Sequence, residues 1–177
     1  MHDFRPVILT LLLAASTAGA ADRHQLKTED YRLSISPRSP EQIGAFYEAR
    51  GFPKQAVDIL KQQCYMTVFF HNTSANIIWL DLGNWRFRTD AGELPRRDRA
   101  YWQKRWQAEG LPQRYRSTFR WTLMPERLDY RPDEREGGNL ILPYTDKPIH
   151  LEARIRVVDK QGEHEETLTL EDLRCAR

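Results

Sequence analysis

Ile149, Leu151, Ala153, Ile155 and Val157 occupy alternate positions, and His150, Glu152, Arg154 and Arg156 fill the places between them. Successive side chains of a strand point to opposite faces, so this pattern predicts a strand with one apolar and one solvated face. The turn formers Asp159-Lys160-Gln161-Gly162 follow, then Thr167, Leu168, Thr169 and Leu170, which predicts a hairpin. Shorter alternations mark other strands. Tyr31 to Ser36 places Leu33 and Ile35 on one face and is closed by Pro37, while Cys64 to Phe70 (CYMTVFF) is rich in β-branched and aromatic residues. After a polar turn at residues 71–76, Ile77 to Leu82 returns, is broken at Gly83-Asn84 and resumes over Trp85 to Arg88, before a turn at Asp90-Ala91-Gly92. Phe119, Trp121 and Leu123 alternate with Thr118, Arg120 and Thr122, which predicts a half-buried strand stopped by Pro125. Asp129 to Asn139 reads as a loop, and Leu140-Ile141-Leu142 as a short apolar run closed by Pro143.

Three segments carry the helical period instead. Ser39 is placed to cap a helix whose first position is Pro40, and Gln42 completes a capping box. Ile43, Phe46 and Tyr47 follow at helical spacing, with Gly51 as the stop. Pro53 to Gln62 is a second short helix with Ala56, Val57, Ile59 and Leu60 apolar, and Arg96 to Glu109 is a third, with Trp102 and Trp106 four apart and Gly110 and Pro112 ending it.

About seven or eight short strands separated by turn residues predict a mainly β protein: an antiparallel immunoglobulin- or fibronectin-like β-sandwich with two or three short helices inserted. The interval from Cys64 to Trp79 fits the Cys-then-Trp part of the immunoglobulin signature. Cys175 departs from it, because it falls on or after the last strand.

The N-terminus reads as an address. Val7 to Ala15 is apolar but too short to span a bilayer, and Ala18-Gly19-Ala20 matches the small-residue rule for signal-peptidase cleavage before Ala21. The alternative is a retained anchor helix. No cysteine follows the apolar stretch, so a lipid anchor has no attachment point there. Export to the periplasm or beyond is the expectation: residues 1–20 a cleaved signal peptide, 21–30 a flexible polar leader, 31–177 a single sandwich domain with no membrane span. In an oxidising compartment, Cys64 and Cys175 are expected to form a disulfide rather than stand as two separate thiols.

Composition narrows the possibilities. Of 177 residues 11% are aromatic, which excludes a disordered tail, and the formal net charge of +2 argues against dedicated nucleic-acid binding. The charge is unevenly spread. Between Arg86 and Arg120 nine arginines and Lys104 face Asp90, Glu93, Asp98 and Glu109, whereas residues 126–177 carry nine basic and thirteen acidic side chains. Such a polarity steers an oppositely patterned partner or drives head-to-tail self-association. Arginines interleaved with rings at Arg97, Tyr101, Trp102, Arg105, Trp106, Arg114, Tyr115 and Arg116 form the candidate binding surface, suited to anionic or sugar-bearing ligands. The competing reading packs Trp102 and Trp106 inward and leaves the arginines to solvate the helix.

The acidic stretch Asp129, Asp133, Glu134 and Glu136, beside Gly137-Gly138, could hold Ca²⁺. Its spacing matches no EF-hand, and Arg127, Arg131 and Arg135 neutralise it, so the glycines are read as supplying positive φ in a tight turn. The histidines have no ligand spacing, and no nucleophile elbow, phosphate loop or dinucleotide fingerprint is present, so neither metal nor cofactor is expected. The resulting expectation is an exported non-catalytic binding or assembly module whose partner is an envelope protein or an anionic or glycan ligand. The alternatives are a cell-wall or glycan hydrolase using Asp129 and Glu134, and a small-ligand or metal carrier.

Overall fold

The computed structural model describes residues 23–177; the expected signal peptide and its cleavage site lie outside them. Nine strands and four helices follow in the order β1 (His24–Lys27), β2 (Tyr31–Arg38), α1 (Pro40–Glu48), α2 (Lys54–Lys61), β3 (Gln63–Asn72), β4 (Ile77–Thr89), β5 (Gly92–Glu93), α3 (Arg99–Ala108), α4 (Gln113–Thr122), β6 (Arg127–Tyr130), β7 (Arg135–Pro143), β8 (Ile149–Asp159) and β9 (Gly162–Leu173). The protein is mainly β, with two antiparallel sheets. One runs β1-β2-β3-β7, the other β5-β4-β8-β9, with β6 also paired to β4.

The predicted alternation decides how the sheets face each other. Leu33 and Ile35 of β2, Met66, Val68 and Phe70 of β3, and Leu140 and Leu142 of β7 meet Ile78, Leu80, Trp85 and Phe87 of β4 and the apolar row of β8 in one buried core. The opposite face of the first sheet is covered too. Tyr65 of β3 and Ile141 of β7, register partners, point into a second core shared with all four helices. This explains why residues 140–142 are apolar without alternation: consecutive side chains serve different interiors.

The disulfide forms as expected. Cys64 of β3 bonds Cys175, two residues past β9, with Cα atoms 5.1 Å apart. The capping box of α1 forms as well: Gln42 N–H donates to Ser39 Oγ, and Ser39 N–H to Gln42 Oε1.

Four expectations are corrected. Residues 118–122, expected in a strand, belong to helix α4, which makes four helices among the described residues rather than two or three. Phe119 is buried while Trp121 is 86% exposed, so the alternating residues do not share a face. A run of six alternating positions is also compatible with a helix led by Pro112, and here the helical core claims Phe119. Residues 129–139 are not one loop, because β6 and β7 reduce it to the turn at residues 131–134. Its left-handed residue is Asp133 (φ 62°), and Gly138 lies instead where the chain leaving α4 crosses β7. Part of the supposed flexible leader, residues 24–27, pairs with β2 as β1. Finally, Trp79 is half-exposed with the Arg156 guanidinium 4.9 Å from its ring, and the buried tryptophan of β4 is Trp85.

A basic groove between α3 and α4 as candidate functional site

Helix α3 is set by polar anchors at its start. Asp98 caps it, accepting from Tyr101 N–H at 2.7 Å. Just before it, Arg97 N–H donates to the Ile141 carbonyl of β7 at 2.8 Å. Glu126, between α4 and β6, accepts from both terminal nitrogens of Arg96 and from the backbone N–H of Arg99. The Arg99 side chain in turn donates to the Leu123 carbonyl at 3.0 Å. This network ties the first turn of α3 to the end of α4. Replacing Glu126 by alanine removes a carboxylate satisfying three donors and is expected to cost about 2–3 kcal/mol, the range for hydrogen bonds to charged groups with partners left unpaired. A chemical-denaturation midpoint unchanged from the parent would contradict this.

Trp102 and Trp106, one turn apart on α3, are both 1% exposed. Their ring centroids lie 5.0 Å apart, and Phe119 of α4 meets their edges at 5.1 and 5.3 Å. These rings and Leu123 floor a groove of about 330 Å³ between the two helices. Arg99, Gln103 and Gln107 line it from α3, and Gln113, Arg116, Ser117 and Arg120 from α4. The lining contains no carboxylate, imidazole or thiol. Among the described residues, none of its three arginines forms an ion pair. Burial pushes the Arg99 guanidinium below the usual arginine range; Glu126 opposes this, and the like charge of Arg120 adds to it.

Six buried side-chain nitrogen or oxygen atoms have no hydrogen-bond partner among the described residues. Four of them belong to groove residues: Arg99 Nε, Arg116 Nε and the indole nitrogens of Trp102 and Trp106. All four are donors.

The predicted binding residues therefore divide. Trp102, Trp106 and Arg116 come together at the groove, the tryptophans as its closed floor. Arg97 lies 5.1 Å from the Tyr101 ring and donates to Gln63 Oε1; Arg105 pairs with Glu109 at 2.9 Å. Arg114 sits 4.5 Å from the ring of Tyr115, which packs on Phe52 at 5.0 Å. These five do not line the groove. Sequence reasoning missed Arg99, Gln103 and Gln107, and Gln113, Ser117 and Arg120. The first set is a polar stripe at four-residue spacing and the second at four and then three, but the second becomes visible only if residues 113–122 are read as a helix.

The acidic stretch is occupied internally. Glu134 accepts from Arg131 N–H at 2.8 Å, and Asp133 bonds His71 Nε2 at 2.8 Å, which with Arg135 holds its carboxyl below the usual range. Asp129 stands within β6 opposite Trp79. No group of three or more His, Cys, Asp or Glu side chains is placed to hold a metal among the described residues.

No protein-family model and no curated protein sequence matches the chain. Among solved structures, a putative lipoprotein (ycdA) from Bacillus subtilis aligns with 84% of this chain at 11% identity and a TM-score of 0.42; the aligned part spans 38% of that chain. At that score the likeness assigns neither fold family nor function.

Proposed function

We propose that this protein is an exported, non-catalytic binding module of the periplasm or cell envelope, with its helical layer as the contact face. The observation that carries this is the make-up of that layer. It adds a basic surface to a sheet pair that already has its own core, and its groove holds no carboxylate, imidazole or thiol to act as general acid or base or to activate Ser117. Export is supported by the sequence pattern at residues 7–20 and by the Cys64–Cys175 bridge, which persists in oxidising compartments. Among the described residues no helix is long and apolar enough to cross a membrane.

The scaffold we infer is immunoglobulin-like. The neighbours β2-β3-β7 follow the A-B-E path of that fold and β4-β8-β9 the C-F-G path. The bridge differs from the antibody pattern by joining the B-like strand to the chain end after the G-like strand.

The protein-contact part of the layer is its outer surface around Trp121. A tryptophan 86% exposed, on a helix that holds no acidic residue and carries Arg114 outside the groove, suits an acidic protein surface. Crosslinked capture from envelope extract is expected to recover one stoichiometric partner, and Trp121→Ala to weaken its binding by roughly 30-fold, as for an interface hot spot of about 2 kcal/mol. Failure to recover a partner, or recovery indifferent to Trp121, would overturn this assignment.

A further inference from the structure

We infer that the α3–α4 groove is a binding site for a sugar that carries a carboxylate or phosphate group. The inference rests on reading the helical layer as a binding face, but it uses the groove rather than the outer surface around Trp121.

The arginines of the groove define the charge of the ligand. Buried polar atoms in proteins are almost always hydrogen-bonded, and clustered exceptions call for an absent partner. Four such atoms belong to residues of this groove and all are donors; the two indole nitrogens lie in its closed floor, so the demand for acceptors comes from the arginines of its walls, two of which, Arg99 and Arg116, keep an unsatisfied Nε. Arg99, Arg116 and Arg120 meet here with no acidic side chain in the lining, and an oxyanion is the acceptor that a guanidinium binds best.

The rim defines the body of the ligand. Gln103, Gln107, Gln113 and Ser117 both donate and accept, which neutral hydroxyl groups require on either side. A flat aromatic ligand is disfavoured: the rings of Trp102 and Trp106 are buried against each other and against Phe119, leaving no free face for stacking. The volume of about 330 Å³ stands at the lower end of small-molecule pockets and suits one sugar unit rather than a long oligosaccharide.

The test is calorimetric titration of the full exported protein at low ionic strength with glucuronate, glucose 6-phosphate, glucose and inorganic phosphate. Glucuronate or glucose 6-phosphate is expected to bind, and which of them is tighter tells a carboxylate site from a phosphate site. Glucose and inorganic phosphate should each bind at least about ten-fold more weakly, the ordinary worth of losing one charge-assisted hydrogen bond. Arg120→Ala, at an exposed position, and Arg116→Lys, which keeps the charge but loses the planar fork, should each weaken the anionic sugar by roughly ten-fold or more. Lys160→Ala, at the distant β8–β9 turn, should leave it unchanged. Equal binding of glucose, equal binding of inorganic phosphate, equal loss in Lys160→Ala, or no heat with any ligand would each overturn the inference. Partner capture that still depends on Trp121 would show that such a failure belongs to the groove alone.

Discussion

Replacing both Cys64 and Cys175 by alanine lowers stability by about 4 kcal/mol and the melting temperature by roughly 10 °C. The bridge closes a loop of 111 residues, for which chain-entropy reasoning gives about 4–5 kcal/mol as an upper figure. The loss should also have an address. Strand β9 bonds only β8 in its sheet, and only Leu168 and Leu173 of its side chains are buried. Asp172, in the left-handed region at φ 60°, turns the chain at an irregularity in the β8 pairing so that Leu173 returns to the core opposite Ile149. The disulfide then fixes the C-terminal tail to β3, in the middle of the other sheet. Amide hydrogen exchange in the double variant should therefore rise first in β9 and last in β3. A melting temperature within a degree or two of the parent, or uniform loss of protection, would contradict the expectation.

Gly138→Ala is the second large effect. A Cβ at this position would lie 2.4 Å from the backbone nitrogen of Met124, 2.5 Å from its Cα and 2.8 Å from the carbonyl carbon of Leu123. All three are main-chain atoms, so no rotamer change relieves the overlap. The residue is glycine because the chain leaving α4 crosses directly over β7, where Leu123 bridges Asn139 and Met124 N–H donates to the Asn139 carbonyl at 3.1 Å. Overpacking at a yielding site costs about 1–3 kcal/mol, and at least about 3 is expected here. The clash falls on Leu123, which lines the groove, so affinity for the proposed ligand and stability are expected to fall together. Gly83→Ala is the contrast: its Cβ would approach only the Asp81 carboxylate at 3.0 Å, a side chain held by Gly83 N–H and Arg127 at the surface that yields far more readily than main chain. Equal denaturation midpoints for the two variants would show that the crossing does not constrain the fold.

Much of this architecture is legible in the residues because period-two alternation is imposed by a single buried face. The β8–β9 hairpin, the apolar rows of β2 and β3, and the capped start of α1 are local signals that the tertiary structure left intact. The disulfide needed one inference about compartment and one count of cysteines. Helix α4 was illegible because its polar face and its single deeply buried ring, Phe119, give a weak helical stripe, and the six residues 118–123 happen to alternate. Missing it concealed the groove, whose two walls lie on separate helices and acquire meaning only when juxtaposed. Likewise, Gly137-Gly138 looked like turn chemistry because the chain crossing that requires Gly138 is long-range. Arginine-aromatic interleaving marked the right region, but it could not tell the rings that form a floor from the rings that lie elsewhere.

Tyr65 and Ile141 have a further consequence. They are the two strand side chains that belong to the helices' interior, while their neighbours in sequence belong to the interior between the sheets. Substitutions among the helices therefore reach the interior between the sheets by few routes, chiefly these two residues and the crossing of β7 at Gly138. Descendants of this chain could remodel what they recognise, residue by residue, while inheriting the strand framework unaltered.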